Sequence, residues 1–307
     1  MNIFKDYKSN LFLNLILVYI IWGSTYMGVK IGLTDLKPLL LTGMRFIIGG
    51  LFLLIISFFI NGLPNKIEAK GSILLGSLLS GFGTSALAYA IQFLPTGLVA
   101  LVAALLPIWV FVLDYLFFSK TKPSNLSMTG MGIGSIGVLF LFNPFGIEGG
   151  LSLSDVVPIL IVFASSSVWA YASLLSLRTK QLKGIEGLSV QMVTGGTLAL
   201  TASFFLEDNQ IQSILNMHRE SVLALAYLIL IGSFLGYAAF LWLISNAPPI
   251  ITTTYAFVNP VVAIIIGYYL ANEVLNSTSI TASVLIISGV VFMTLGRKKK
   301  PKVATVD

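Results

Sequence analysis

The chain has 307 residues, 56% of them hydrophobic and only 10% charged, with a formal net charge of +6 at pH 7, one histidine and no cysteine. Soluble domains carry about 25% charged residues, so an aqueous fold has nowhere to bury this much apolar surface, whereas a lipid bilayer does. The lack of cysteine excludes disulfides, iron–sulfur clusters and thiolate zinc sites; the basic residues fall in short segments between apolar runs instead of one patch, which argues against nucleic acid as a partner.

A spanning helix needs roughly 17–25 apolar residues. The first run, Leu11–Ile31, follows a basic start without a cleavage pattern and reads as a retained helix. Trp22, Tyr26 and Lys30 recur on it at four-residue spacing and share one face. An aromatic face ending in a cation suits a zwitterionic or aromatic solute; the competing reading is packing for Trp22 and an interface anchor for Lys30. Ser24 and Thr25 have their own helix carbonyls in reach.

The second run, Pro38–Ile60, holds Arg45 about seven residues in. A charge at that depth is expensive and usually faces a cavity or a partner. It is read here as a counter-ion for a substrate carboxylate or as a gate, against snorkelling to headgroups beside Asp35. The third run, Gly71–Phe93, carries Ser85, Tyr89 and Gln92 on one face, and a three-residue link leads to the fourth, Gly97–Phe118. Asp114 lies about one turn from the end of that run. It is either a proton carrier for coupling or a partner of Lys120 or Lys122 near the interface. In the fifth run, Leu126–Phe142, the glycines at 130, 132, 134 and 137 read as a close helix contact.

The sixth run, Leu153–Leu175, aligns Ser165, Trp169 and Ser173. The seventh, Leu188–Leu206, places Gln191 near the depth of Arg45. The following stretch, Ile211–Met217, reads as a loop in preference to a surface helix, and His218 sits just beyond it. Trp242 in the eighth run, Val222–Ile244, corresponds to Tyr89. The ninth, Ile250–Ala271, sets Thr252, Tyr255 and Asn259 at spacings of three and four. Pro260 there removes a backbone hydrogen bond, as the broken helices of transporter sites do. The tenth run is Ser279–Leu295, followed by a basic tail.

With a cytoplasmic N-terminus, fourteen lysines and arginines fall in inner segments and three (Lys30, Lys37, Arg219) in outer ones. This balance predicts both termini in the cytoplasm. The chain also repeats itself at a shift of 153: Ser80 meets Ser233, Gly83 meets Gly236, Pro95 meets Pro248 and Pro107 meets Pro260. Trp22 meets Trp169 at a slightly smaller shift. Two five-helix units, 1–147 and 148–307, would insert with opposite orientation, giving an all-α integral membrane fold of ten transmembrane helices in inverted repeats.

Ile20 to Tyr26, then Gly32, Pro38 and Met44-Arg45-Phe46, resemble the drug/metabolite transporter superfamily, specifically its ten-helix EamA-type members and their YedA-like subgroup. Pro107, Pro260 and Glu273 fit the same pattern, while Lys120 replaces the acid that often ends the first repeat's fourth helix. The resemblance implies export of amino acids, related metabolites or drugs across the cytoplasmic membrane. The expectation is a secondary transporter working by alternating access, with a passive channel as the alternative. Trp22, Tyr26, Arg45, Tyr89, Gln92, Trp169, Trp242, Tyr255 and Asn259 are the expected substrate contacts, with Lys30 and Asp114 as coupling or gating groups. No phosphate-loop lysine, histidine cluster or paired aspartates are present, so neither enzyme activity nor a metal or other cofactor is expected. The expected partners are a small solute and lipid, and a monomer is sufficient although a homodimer remains open.

Overall fold

The computed structural model describes residues 3–62, 64–118, 122–141, 153–247 and 254–296. Thr252, Lys120, the basic tail and the sequence-predicted ends at Phe142 and Ile250 lie outside them. Among the described residues the chain forms eight helices long and apolar enough to cross a membrane and two shorter apolar ones. In chain order these are α1 (Ile3–Gly32), α2 (Pro38–Asn61), α3 (Lys66–Ile91), α4 (Thr96–Phe118), α5 (Asn125–Leu141), α6 (Val156–Ser176), α7 (Gly184–Leu206), α8 (residues 219–246), α9 (Tyr255–Ala271) and α10 (Ser277–Leu295).

Local chemistry sets the ends. Pro38 occupies the first turn of α2, where its missing N–H costs nothing. Asn65 caps α3, its Oδ1 accepting from Ile67 N at 2.9 Å, so the helix starts five residues before the apolar run does. Asn276 caps α10 in the same way, accepting from Ser279 N at 2.7 Å. Gly62 (φ +77°) and Asn272 (φ +52°) end α2 and α9 in backbone conformations that favour these residue types. The stretch after α7 departs from the sequence expectation: Gln210–Leu215 is a short helix, entered through Asn209 at φ +60°. Its exposed Ile211 and Leu215 lie on one side of it.

The packing exchanges under a shift of five helices. α1 lies on α8 and α9, and α6 lies on α3 and α4; α2 pairs with α7, α4 with α9 and α5 with α10. This is the contact set of two repeats related by a pseudo-two-fold axis. The self-paired seams are tight. A Cβ on Gly50 would come 2.7 Å from Val193 N, and one on Gly289 would come 2.5 Å from Gly134 N. Small residues at such seams let membrane helices approach. Phe59, Phe204, Phe205 and Tyr269 point outward and are exposed, which suits lipid and would be costly in water.

A feature absent from the sequence reading recurs in both repeats. Residues Ser77–Gly83 of α3 and Leu228–Leu235 of α8 are π-helical, with the Ser80 and Ser233 pair inside them. A π turn inserts one residue, about 100° of rotation, and releases carbonyls from the α ladder. Side chains take up the slack: Thr84 Oγ1 donates to Leu79 O at 3.3 Å and Ser233 Oγ to Leu228 O at 3.0 Å, both five residues back, while Ser165 Oγ donates to Gly83 O at 2.8 Å.

Candidate functional site

Between the repeats lies a cavity of about 230 Å³. α1 contributes Trp22 and Tyr26, one turn apart on the face that the four-residue spacing marks. Trp22 contacts three aromatic rings edgewise or tilted: Tyr237 at 5.4 Å, Phe240 at 4.8 Å and Tyr255 at 5.2 Å between centroids. It fits because Gly236 has no side chain; a Cβ there would lie 2.6 Å from the indole nitrogen. The other repeat does the same, Trp169 resting over Gly83, whose Cβ would lie 2.9 Å from the ring. Two tryptophans and two glycines that match across the repeat therefore build the two walls.

Arg45 enters from α2 and is 9% exposed. Its Nε–H donates to Ser233 Oγ at 3.2 Å, and its guanidinium lies 5.1 Å from the centre of the Phe46 ring. Asp35 is not its partner. That carboxylate accepts from His218 N at 2.8 Å and faces His218 Nδ1 at 2.8 Å, in loops at the end of the bundle away from the chain termini. From α9 come Tyr255, Pro260 and Asn259, whose buried Oδ1 has no hydrogen-bond partner among the described residues. Ser24 and Thr25 are turned to their own helix, Ser24 Oγ donating to Ile20 O at 2.6 Å and Thr25 Oγ1 to Trp22 O at 2.6 Å.

Six of the expected contacts thus line one cavity: Trp22, Tyr26, Arg45, Trp169, Tyr255 and Asn259. Three do not. Tyr89 is 42% exposed and packs on Phe93, Gln92 is exposed at the end of α3, and Trp242 packs in an apolar cluster around Val18 and Leu243. On α3 the cavity face is Thr84, Ala88 and Ile91, one position before Ser85, Tyr89 and Gln92. Spacing shows which residues share a face, not where the face points, and one residue is the register a π turn shifts. Thr84 and its counterpart Tyr237, 153 positions on, were missed; each directly follows a matched glycine, which is the signal that identifies them.

Lys30 directly follows the lining residue Val29, stands outside the lining itself, and ion-pairs with Glu273, Nζ to Oε1 at 2.7 Å. Asp114 opens a π turn, Asp114–Phe118, outside the cavity lining. Among the described residues no group of three or more His, Asp or Glu side chains is placed to hold a metal ion. A second hollow follows the short helix Gln210–Leu215; six residues of that one segment form it and none is charged.

The two ends of the bundle differ. Beyond the cavity, away from the chain termini, Leu36, Leu40, Leu94 and Val99 are buried in one apolar cluster. Towards the terminus-bearing end, among the described residues, α9 packs mainly on the first half of α4, Thr96–Ala103, and no residue of Leu106–Leu113 is buried.

The EamA-like transporter family model matches this chain twice, over residues 10–143 and 156–295. An Escherichia coli K12 protein named "Uncharacterized inner membrane transporter YedA" is 33% identical over 303 residues, covering 96% of this chain and 95% of its own. A Salmonella typhimurium protein named "Probable amino-acid metabolite efflux pump" is 25% identical, covering 92% of this chain and 93% of its own. A solved structure, titled only as the crystal structure of a protein, is 16% identical with a TM-score of 0.61, covers 94% of this chain and 97% of its own, and so shares the fold.

Proposed function

The chain belongs to the EamA-like transporter family, and on that premise we propose that it is a secondary transporter exporting a small metabolite, amino-acid-like in size, across the cytoplasmic membrane by alternating access. The observation that carries this reading is the cavity at the interface of two pseudo-symmetric repeats, holding one buried cation and several aromatic rings. A site on the pseudo-two-fold axis can be exposed to either side by rocking one repeat against the other, here 1–147 against 148–307. The basic inner segments favour cytoplasmic termini, and in that orientation the packed end faces outward and the parted end inward. That arrangement supports a carrier over a pore, since a pore needs a path at both ends. The relative named as an amino-acid metabolite efflux pump favours metabolites of that kind. Tyr26, Trp22 and Tyr255 are the stacking walls, with Arg45 and Asn259 orienting the polar part of the solute. The described cavity residues all come from one chain, which supports a monomer as the working unit.

Flux into proteoliposomes across a panel of amino acids and drugs tests the reading. The parent protein transports at least one panel member, and Arg45→Ala and Tyr26→Ala each lower that flux about tenfold or more. Parent-like flux in both variants across the panel means that the solute passes elsewhere.

A further inference from the structure

We propose that the cavity selects small organic anions, in particular apolar or aromatic monocarboxylates, and rejects cations; the inference rests on the cavity being the solute site. Among the described residues its lining contains Arg45 and not one Asp or Glu. Among the described residues the two ion pairs, Lys30 with Glu273 and His218 with Asp35, both lie outside it, so no carboxylate stands within 4 Å of the guanidinium. Arginine has five N–H donors in a planar fork and keeps its charge under all ordinary conditions. Among the described residues only its Nε–H finds a hydrogen-bond partner. The remaining donors are on the outer edge of the guanidinium, the edge that grips a carboxylate through two parallel bonds.

The electrostatics are one-sided. A buried charge without a counter-ion is costly, and an arriving carboxylate supplies the missing partner. A cation meets the reverse: the aromatic rings attract it modestly, while Arg45 repels it in a medium that screens poorly and no acid compensates. A zwitterion falls between, its carboxylate on Arg45 and its ammonium left to ring faces and to Asn259. Asn259 lines the same cavity, and its buried Oδ1 has no hydrogen-bond partner among the described residues. Size narrows the class. Drug-sized ligands occupy pockets of about 300–1,000 Å³, and this cavity holds about 230 Å³. One ring or branched chain with one carboxylate fits; a large amphiphilic drug does not.

The test uses three probes with one ring system and different charge: indole-3-propionate (anion), tryptophan (zwitterion) and tryptamine (cation). Equilibrium dialysis against the purified full-length protein measures binding of each. The expected order is anion, zwitterion, cation, with the anion at least about tenfold tighter than the cation. Arg45→Gln removes the preference by weakening the anion about tenfold or more, and Arg45→Lys, which keeps the charge, restores part of it. Tryptamine binding as tightly as indole-3-propionate overturns the inference, as does an Arg45→Gln protein with the parent's ranking, or no binding of any probe up to millimolar concentration. The ranking by the parent decides the matter even if a variant fails to fold. Flux separates this from the transport reading: bound anion without flux refutes transport and leaves the charge selection, whereas preferred flux of tryptamine refutes the charge selection and leaves transport.

Discussion

The two ends of this bundle are held by different chemistry. At the end away from the chain termini three carboxylates join one repeat to the other. Glu273, 8% exposed at its side chain, accepts from Lys30 Nζ at 2.7 Å, Thr96 N at 2.8 Å, Thr96 Oγ1 at 3.0 Å and Gly97 N at 3.4 Å, so it caps α4 as well as pairing with α1. Glu207 accepts from Leu39 N at 2.8 Å and Leu40 N at 3.0 Å, capping α2 from the end of α7. Asp35 meets His218. At the terminus-bearing end the described ties between repeats are neutral: Ser124 Oγ to Gly296 O at 2.6 Å, Ser127 Oγ to Met293 O at 3.2 Å, and Leu182 N to Ser72 Oγ at 3.0 Å. Hydrogen bonds to charged groups contribute about 1.5–3 kcal/mol, neutral ones about 0.5–1.5. The charged end is therefore the latched one, and it is also the end where the core closes over the cavity.

Breaking the strongest latch gives the largest effect. Glu273→Gln removes the charge from four hydrogen bonds, a loss of about 2–3 kcal/mol from the closed end, or roughly 30- to 150-fold in the closed-to-open ratio. The chain has no cysteine, so a single Leu94→Cys reports on that end without background. Its maleimide labelling accelerates by about tenfold or more when Glu273→Gln is added, and unchanged labelling shows that Glu273 is not a latch. Next in size, Glu207→Gln loses the anionic cap on α2, worth about 1 kcal/mol. The melting midpoint of the purified protein falls by about 2–4 °C; a shift below 1 °C removes Glu207 from the comparison.

The neutral end responds less. Ser127→Ala gives up one bond of about 1 kcal/mol or less, so labelling of Leu94→Cys changes by no more than about fivefold. An acceleration as large as that of Glu273→Gln would contradict the assignment of the latch to the charged end. The smallest effect belongs to the Asp35–His218 pair, whose histidine is exposed. Its partners shift each other's titration: hydrogen bonds from Ser221 and His218 lower Asp35 from 3.8 to about 2, and the hydrogen bond to Asp35 raises His218 above 6.5. The raised histidine contributes fully below 6.5 and loses its contribution as pH rises through its folded value. The lowered aspartate contributes above 3.8 and loses its contribution as pH falls towards about 2. The tie is strongest between about pH 4 and 6.5. The ratio of Leu36→Cys labelling with and without His218→Gln peaks in that window, and a flat ratio from pH 4 to 9 discards the pair.

Helix count, repeat and family were legible because they rest on composition and on residues at fixed spacing: apolar runs, paired prolines, matched glycines. So were the cavity residues of α1, since Trp22 and Tyr26 share a face that a straight helix preserves. The faces of α3 and α8 were not. Spacing groups Ser85 with Tyr89 and Gln92 but does not say where that face points, and the π turns that precede Tyr89 and Trp242 carry no mark in the sequence. Glu273 was visible only as a family feature. Its role as a cap on α4 joins residues 177 positions apart, a distance that periodicity does not bridge.

Sidedness of a cysteine inside the cavity tests the central claim most directly. Ala103 lines the cavity from α4 and is half-buried. With Ala103→Cys in oriented vesicles, a membrane-impermeant maleimide reaches it from the terminus-bearing side in the otherwise unchanged protein and from the opposite side once Glu273→Gln is added. Labelling from neither side, or equally from both in each background, would mean that no single hollow alternates between the two faces.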